Sequence, residues 1–215
     1  MKQWLSNPTF YHYARQVMTL GLPFRRFVRE FGLDDPTARV ADLGCGPVDL
    51  LRYLTPDKRP AMYLGLDVSD RYLNDARRRA ASLNMPSTFE AFDLTRLADS
   101  ESHCAAVAEK LTAGRVDRAL LLGVLHHIDD HSALATLETL SRVPTLQRVF
   151  TWDVLITPGR NLNNFLARHD RGEFVRTEAA YDALLNRSVW RVGRKFWTRP
   201  GLAAVKYLHY ELVRP

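Results

Sequence analysis

From Arg39 onward the chain alternates short apolar runs with longer stretches of helical period. Arg39 to Leu43, Ala61 to Asp67, Ser87 to Phe92, Asp117 to Val124 and Arg148 to Ile156 are runs of strand length. Helical patterns separate them: Val48 to Leu54; a segment capped by Ser69 or Asp70 and running to Leu83; His103 to Leu111, closed by Gly114; and His131 to Arg142 behind Asp129 or Asp130. Thr177 caps a further helix to Asn186. This alternation predicts βαβ units and a mostly parallel sheet, with the most apolar run, Asp117 to Val124, at its centre. The tail changes period. Ser188 to Thr198 and Ala203 to Val213 alternate around Arg199-Pro200-Gly201, as in an antiparallel hairpin along one sheet edge. Asn7 to Phe31 is aromatic and helical in pattern. The expected organisation is one structural domain, with residues 1–36 as a helical cover and 37–215 as the sheet-bearing body.

Composition narrows the classes. The 215 residues fit one domain with an ample core. The longest apolar run, Ala119 to Leu125, is strand-sized, and Met1 to Pro8 lacks the apolar core of a signal peptide. The expectation is a cytoplasmic protein with no membrane partner. Cys45 and Cys104 lie far apart, without metal or disulfide spacing. The net charge of +6 is spread along the chain, and its densest run, Arg77-Arg78-Arg79, falls on a helix face. No nucleic-acid partner is expected. His127 and His131 flank Asp129-Asp130, but an i, i+4 pair ligates a metal only from one helix, and this helix starts after His127. No metal site is expected.

The chemistry gathers at the ends of the runs. Val40-Ala41-Asp42-Leu43-Gly44-Cys45-Gly46 ends in two spaced glycines that admit a ligand close to the backbone. Asp67 ends the next run about twenty residues on, where a carboxylate accepts hydrogen bonds from ribose hydroxyls. To this point NAD and S-adenosylmethionine fit equally. Asp49 then stands where a dinucleotide fingerprint needs a third glycine, and its charge repels pyrophosphate. Pro47 removes a backbone donor as well. A phosphate-free cofactor bearing a sulfonium and an ammonium suits Asp42 and Asp49, and no basic residue lies between Val40 and Leu51.

On these residues the chain resembles the class I S-adenosylmethionine-dependent methyltransferases. Asp42-Leu43-Gly44-Cys45-Gly46-Pro47 is similar to their first motif, and Gly65-Leu66-Asp67-Val68-Ser69 to their ribose-binding acidic motif. Phe92-Asp93-Leu94 resembles the segment that meets the adenine amino group. Leu122-Gly123-Val124-Leu125-His126-His127 resembles the fourth-strand motif of small-molecule members, and Asp170 to Thr177 the tail of a bacterial subgroup. Val48 departs from the family's glycine or alanine, and Val143-Pro144-Thr145-Leu146 replaces a proline-glycine-glycine turn.

The resemblance implies a three-layer α/β, Rossmann-like fold with a seven-stranded, mostly parallel sheet, the C-terminal antiparallel hairpin and the N-terminal helical cover. It implies S-adenosyl-L-methionine as cofactor, S-adenosyl-L-homocysteine as product, and a cofactor set of Tyr11, Arg15, Asp42, Gly44, Cys45, Gly46, Asp67, Val68, Asp93, Leu94 and Gly123. His127 is the first candidate for a general base, with His126 beside it and Asp153 at the acceptor end of the fifth strand. Tyr13, Trp152, Asn164 and Arg168, with Asn161 and Arg171 near them, are candidates for acceptor contacts. Cys45 reads as a packing residue. No Asn-Pro-Pro-Tyr or Asp-Pro-Pro-Tyr signature of macromolecular amine methylation is present. The expected acceptor is therefore a small molecule methylated at oxygen or nitrogen, such as a natural product, a saccharide or another metabolite, on a monomer or homodimer. Two other readings keep the fold: a non-catalytic cofactor-binding scaffold, and an enzyme using the cofactor for a reaction other than methylation.

Overall fold

The computed structural model describes residues 23–159, 161–169, 172–199 and 205–215. Among the described residues eight strands are present: β1 (Arg39–Leu43), β2 (Met62–Asp67), β3 (Ser87–Ala91), β4 (Arg118–Leu122), β5 (Arg148–Ile156), β6 (Arg176–Thr177), β7 (Arg191–Thr198) and β8 (Tyr207–Val213). Seven follow the order β3-β2-β1-β4-β5-β8-β7, while the two-residue β6 pairs with the end of β5. The strands β1 to β5 run parallel, and β8 lies antiparallel between β5 and β7. The apolar β4 sits in the middle, as its composition demands, and the tail forms the expected hairpin. Strand crossovers place α2 (Asp70–Ser82), α4 (Glu101–Ala113), α5 (Asp130–Ser141) and α7 (Glu178–Asn186) against the sheet. Their first turns are held by Ser69, Ser100, Asp129 and Thr177, whose side chains accept backbone N–H bonds from Tyr72, His103, Ser132 and Ala180.

Because successive strand residues face opposite sides, the sheet divides two apolar layers. Ala41, Ala119, Leu121 and Val149 pack with α4, α5 and α7. Val40, Leu120, Phe150 and Trp152 pack with α2 and with α1 (Phe24–Glu30). On that second side Phe27 contacts Trp152 and His209 at ring separations of 5.1 and 5.0 Å, and Phe31 contacts Phe150 at 5.1 Å. Thus the described part of the N-terminal cover is built into the core. No helix among the described residues is long and apolar enough to cross a membrane.

Three local expectations change. The segment expected as a helix from Val48 to Leu54 is a 3-10 turn, Asp49–Tyr53, preceded by Val48 in a left-handed conformation at φ +50°. A β-branched residue there costs on the order of 1–3 kcal/mol, and an α-helix cannot continue through it. The segment after β5, read as a loop, contains α6 (Leu162–His169). Its start is fixed by Asn161, whose Oδ1 accepts the Asn164 N–H at 2.9 Å. A short α3 (Arg96–Asp99) also precedes α4.

Candidate active site

The carboxyl ends of β1, β2, β3 and β4 bring the expected cofactor residues to one edge of the sheet, the place where ligands bind in open parallel sheets. Two of the loops interlock directly. Gly44 and Cys45 donate their N–H groups to Leu66 O, and the Gly46 N–H donates to Asp67 Oδ2 at 2.8 Å. The second oxygen, Oδ1, accepts the Ser69 N–H at 2.8 Å. Asp67 therefore ties the first loop to the second at the end of β2. Gly44, at φ +74°, lies so close to Val124 that a Cβ would come within 2.6 Å of its methyl group. This contact draws the loop after β4 onto the loop after β1.

Asp42 is buried beneath that junction. The hydroxyl of Tyr63 donates to its Oδ2, while Oδ1 is buried without a hydrogen-bond partner. Burial, followed in effect by the charge of Asp67, pushes its carboxyl up to about 7 despite the Tyr63 bond. A buried, half-satisfied carboxylate next to a second carboxylate is an environment for a cation. It fits the ammonium and sulfonium of S-adenosylmethionine and is hostile to a phosphate-bearing cofactor. Val68, 68% exposed beside Asp67, offers apolar surface at the same edge. Asp93 is exposed and caps its own turn through Thr95, whereas Leu94 is buried in the core. The thiol of Cys45 is buried and raised well above its ordinary value by that burial, so it packs and does not react. Asp49 pairs with Arg79 at 2.8 Å, and Arg79 also donates to Pro47 O.

The histidine pair separates into two environments. His126 is 4% exposed, its Nδ1 lies 2.7 Å from Asp153 Oδ1, and its backbone N–H donates to the same oxygen at 3.2 Å. His127 is exposed, with its ring centroid 4.1 Å from that of His126. Gly123 leads into this turn at φ +74°, and a Cβ there would sit 3.6 Å from His126 Cε1. On the other side, a Cβ at Gly172 would come within 2.3 Å of His126 Cδ2. Both ring carbons next to Nε2 thus face glycines.

Among the acceptor candidates, Trp152 and Asp153 alternate to opposite faces of β5. Asp153 meets His126, whereas Trp152 is enclosed by Phe24, Phe27, Tyr207 and His209. Asn164 gives both amide hydrogens to Thr157 O and Gly159 O and accepts from the Thr157 N–H, so its side chain builds the turn after β5. Arg168 is exposed on α6. Tyr11, Tyr13, Arg15 and Arg171 lie outside the described residues.

Arg176 escaped the sequence reading as a site residue. It is buried, and its guanidinium donates to the carbonyls of Leu125, Ile128 and Phe174 and to Asp130 Oδ1 at 2.9 Å. It clamps both sides of the His126-His127 turn. An arginine just before a helix cap gives no sequence signal of this, because its partners lie about fifty residues away. Replacing Arg176 by alanine is expected to destabilise the protein by about 3 kcal/mol, since it leaves the carbonyls of Leu125, Ile128 and Phe174 without their guanidinium donor, while Asp130 keeps Arg187. Lysine will not restore it, lacking the fork that serves several acceptors at once. Denaturant unfolding measures the loss, and a value below about 1 kcal/mol would refute the clamp.

Comparison with known proteins bears on the fold. A methyltransferase domain family matches residues 41–143. No curated protein matches the chain by sequence. Among solved structures it is similar to magnesium protoporphyrin IX methyltransferase from Synechocystis PCC 6803 with bound S-adenosylhomocysteine, at 18% identity and a TM-score of 0.66, covering 100% of this chain and 98% of that one. It is similar also to an S-adenosylmethionine-dependent methyltransferase from Aquifex aeolicus, at 17% identity and 0.63, covering 100% and 97%. A mitomycin 7-O-methyltransferase gives 20% identity and 0.64, and there the whole of this chain spans 60% of the other. The matched segment is similar to a methyltransferase domain, and the sheet topology is the fold that these solved S-adenosylmethionine-dependent methyltransferases share.

Proposed function

We propose that the protein methylates a small molecule, such as a natural product, a saccharide or another metabolite, at oxygen or nitrogen, with His126 as general base oriented by Asp153. The observation that carries this reading is the 2.7 Å contact from His126 Nδ1 to Asp153 Oδ1 beside the glycine-lined end of β4. When bound, the cofactor supplies a sulfonium-activated methyl group. The protein's part is alignment, exclusion of water and removal of one proton. Asp153 fixes the tautomer in which Nδ1 carries hydrogen, which leaves Nε2 as the basic nitrogen that takes the acceptor's O–H or N–H proton. The imidazolium formed when His126 takes this proton would be stabilised by the Asp153 carboxylate. Asp42, Asp67 and Val68 would hold the cofactor. Two of the solved relatives are named as methyltransferases of small molecules, which favours an acceptor of that size.

Calorimetry with S-adenosylmethionine and S-adenosylhomocysteine tests the reading. Binding of both is expected, followed by release of S-adenosylhomocysteine in a screen of hydroxylated and amino-bearing small molecules. Absence of binding at millimolar concentration would sink it. The strained Val48 beside the donor loop favours one alternative, a cofactor-binding scaffold. Tight binding with no turnover across the panel would shift the assignment there.

A further inference from the structure

Where β5 ends and the β7–β8 hairpin turns, the carboxyl edge of the sheet carries a second feature. Thr157, Asn161, Leu162, Asn163, Arg199 and Lys206 line a cavity of about 180 Å³. That is room for one end of a ligand and too little for a whole metabolite of ordinary size. Its walls are held in place by amide bonds. Asn163 Oδ1 accepts the Lys206 N–H at 2.7 Å, Asn163 Nδ2 donates to Leu155 O at 2.9 Å, and Asn161 Nδ2 donates to Thr157 Oγ1 at 3.0 Å. The cavity is thus cross-linked from β5, α6 and the start of β8.

Its charge is one-sided, because among the described residues the lining contains two cations and no carboxylate. Further along the hairpin, Arg194 pairs with Glu30 and Glu211, and Lys195 with Glu178 and Asp182. Arg199 and Lys206 have no carboxylate partner among the described residues. The Lys206 ammonium instead lies 4.8 Å from the Trp197 ring centroid. At the rim Leu162 is 61% exposed. Two cations without counter-charge, a fixed amide and hydroxyl wall and an apolar lip describe a site for an oxyanion attached to an apolar body.

We propose that this cavity holds the anionic end of the methyl acceptor, a carboxylate or a phosphate, between Arg199 and Lys206, with the acceptor's apolar part against Leu162. The inference rests on the methyltransferase reading only in naming the ligand as the acceptor. The cavity adjoins the end of β5, the strand that also carries Asp153.

The test uses the full chain saturated with S-adenosylhomocysteine, with benzoate, phenyl phosphate and neutral benzamide as probes. At least one anion is expected to bind more tightly than benzamide, and to do so less well as salt is raised. Whichever of the two binds better identifies the headgroup. The double variant Arg199→Gln, Lys206→Gln is expected to weaken that anion by about tenfold or more, with S-adenosylhomocysteine affinity and thermal midpoint unchanged. Equal binding of benzamide and both anions, or an anion affinity insensitive to the double variant, overturns the proposal. If wild type fails to bind S-adenosylhomocysteine, the methyltransferase reading falls; if it binds but shows no anion preference, only the present inference falls.

Discussion

Replacing His126 by alanine is expected to lower kcat by about 10²- to 10⁴-fold, the range supplied by a positioned general base, while S-adenosylhomocysteine affinity stays unchanged. The reason lies in the pairing of His126. A buried imidazole held through Nδ1 by a buried carboxylate has its tautomer and orientation set in advance, so little reorganisation accompanies proton transfer. Asp153→Asn should reproduce part of the loss, because an amide can present its N–H to Nδ1 and impose the wrong tautomer. His127→Ala should have the smaller effect, as that ring is exposed. Steady-state turnover and product binding, measured on the first acceptor found by screening, decide among these. An unchanged kcat in His126→Ala would remove the base from that position, and a large loss in His127→Ala alone would move it to the neighbour. Equal losses in turnover and cofactor affinity would mark the ring as packing for the cofactor.

The second large effect concerns Asp42. Its carboxyl, 3.8 in an exposed chain, stands at about 7 in the folded protein without a cation beside it. At about 1.4 kcal/mol for each tenfold, that displacement amounts to about 4 kcal/mol. Burial favours the neutral acid, so the stability penalty is absent below pH 3.8, grows between pH 3.8 and about 7, and is full above. Asp42→Asn should therefore raise the thermal midpoint of the ligand-free protein at about pH 8 and leave it nearly unchanged at about pH 4. Cofactor binding should show the opposite preference. A cation stabilises the ionised carboxylate, so binding expels a proton below about pH 7, and affinity should rise close to tenfold per pH unit up to that point. Asp42→Asn should bind more weakly and lose this slope. Calorimetry in two buffers of different ionisation enthalpy counts the proton, and a flat affinity from about pH 6 to about pH 8 in the wild type would contradict the account.

Both effects depend on pairings that no local pattern announces. That the chain builds a parallel sheet with a C-terminal hairpin was legible from apolar period: the β5 limits and the central β4 follow from side-chain burial, the cap at Thr177 from a short polar group that satisfies a helix N–H, while the structure chose Ser69 over Asp70 and Asp129 over Asp130. The preference for a cationic, phosphate-free cofactor was legible too, because Asp42, Asp67 and the missing donor at Pro47 disfavour a phosphate, whereas the charge of Asp49 is taken up by Arg79. Periodicity failed where a single backbone or side-chain bond overrode it. Val48 in a left-handed conformation shortened the first helix to a turn, and Asn161 started a helix in a segment rich in turn formers.

Tertiary structure alone decided which histidine is buried against Asp153. Their bond spans twenty-seven residues and depends on β4 lying next to β5 in a register that pairs Leu122 with Trp152. The same holds for Tyr63 on Asp42, for Arg176 across the histidine turn, and for Arg199 and Lys206 meeting at one cavity. Residue type and spacing fix which face a side chain takes within its own element. Only the packing of distant elements fixes which charge it meets there, and desolvation at that meeting sets the chemistry of Asp42 and of the His126–Asp153 pair.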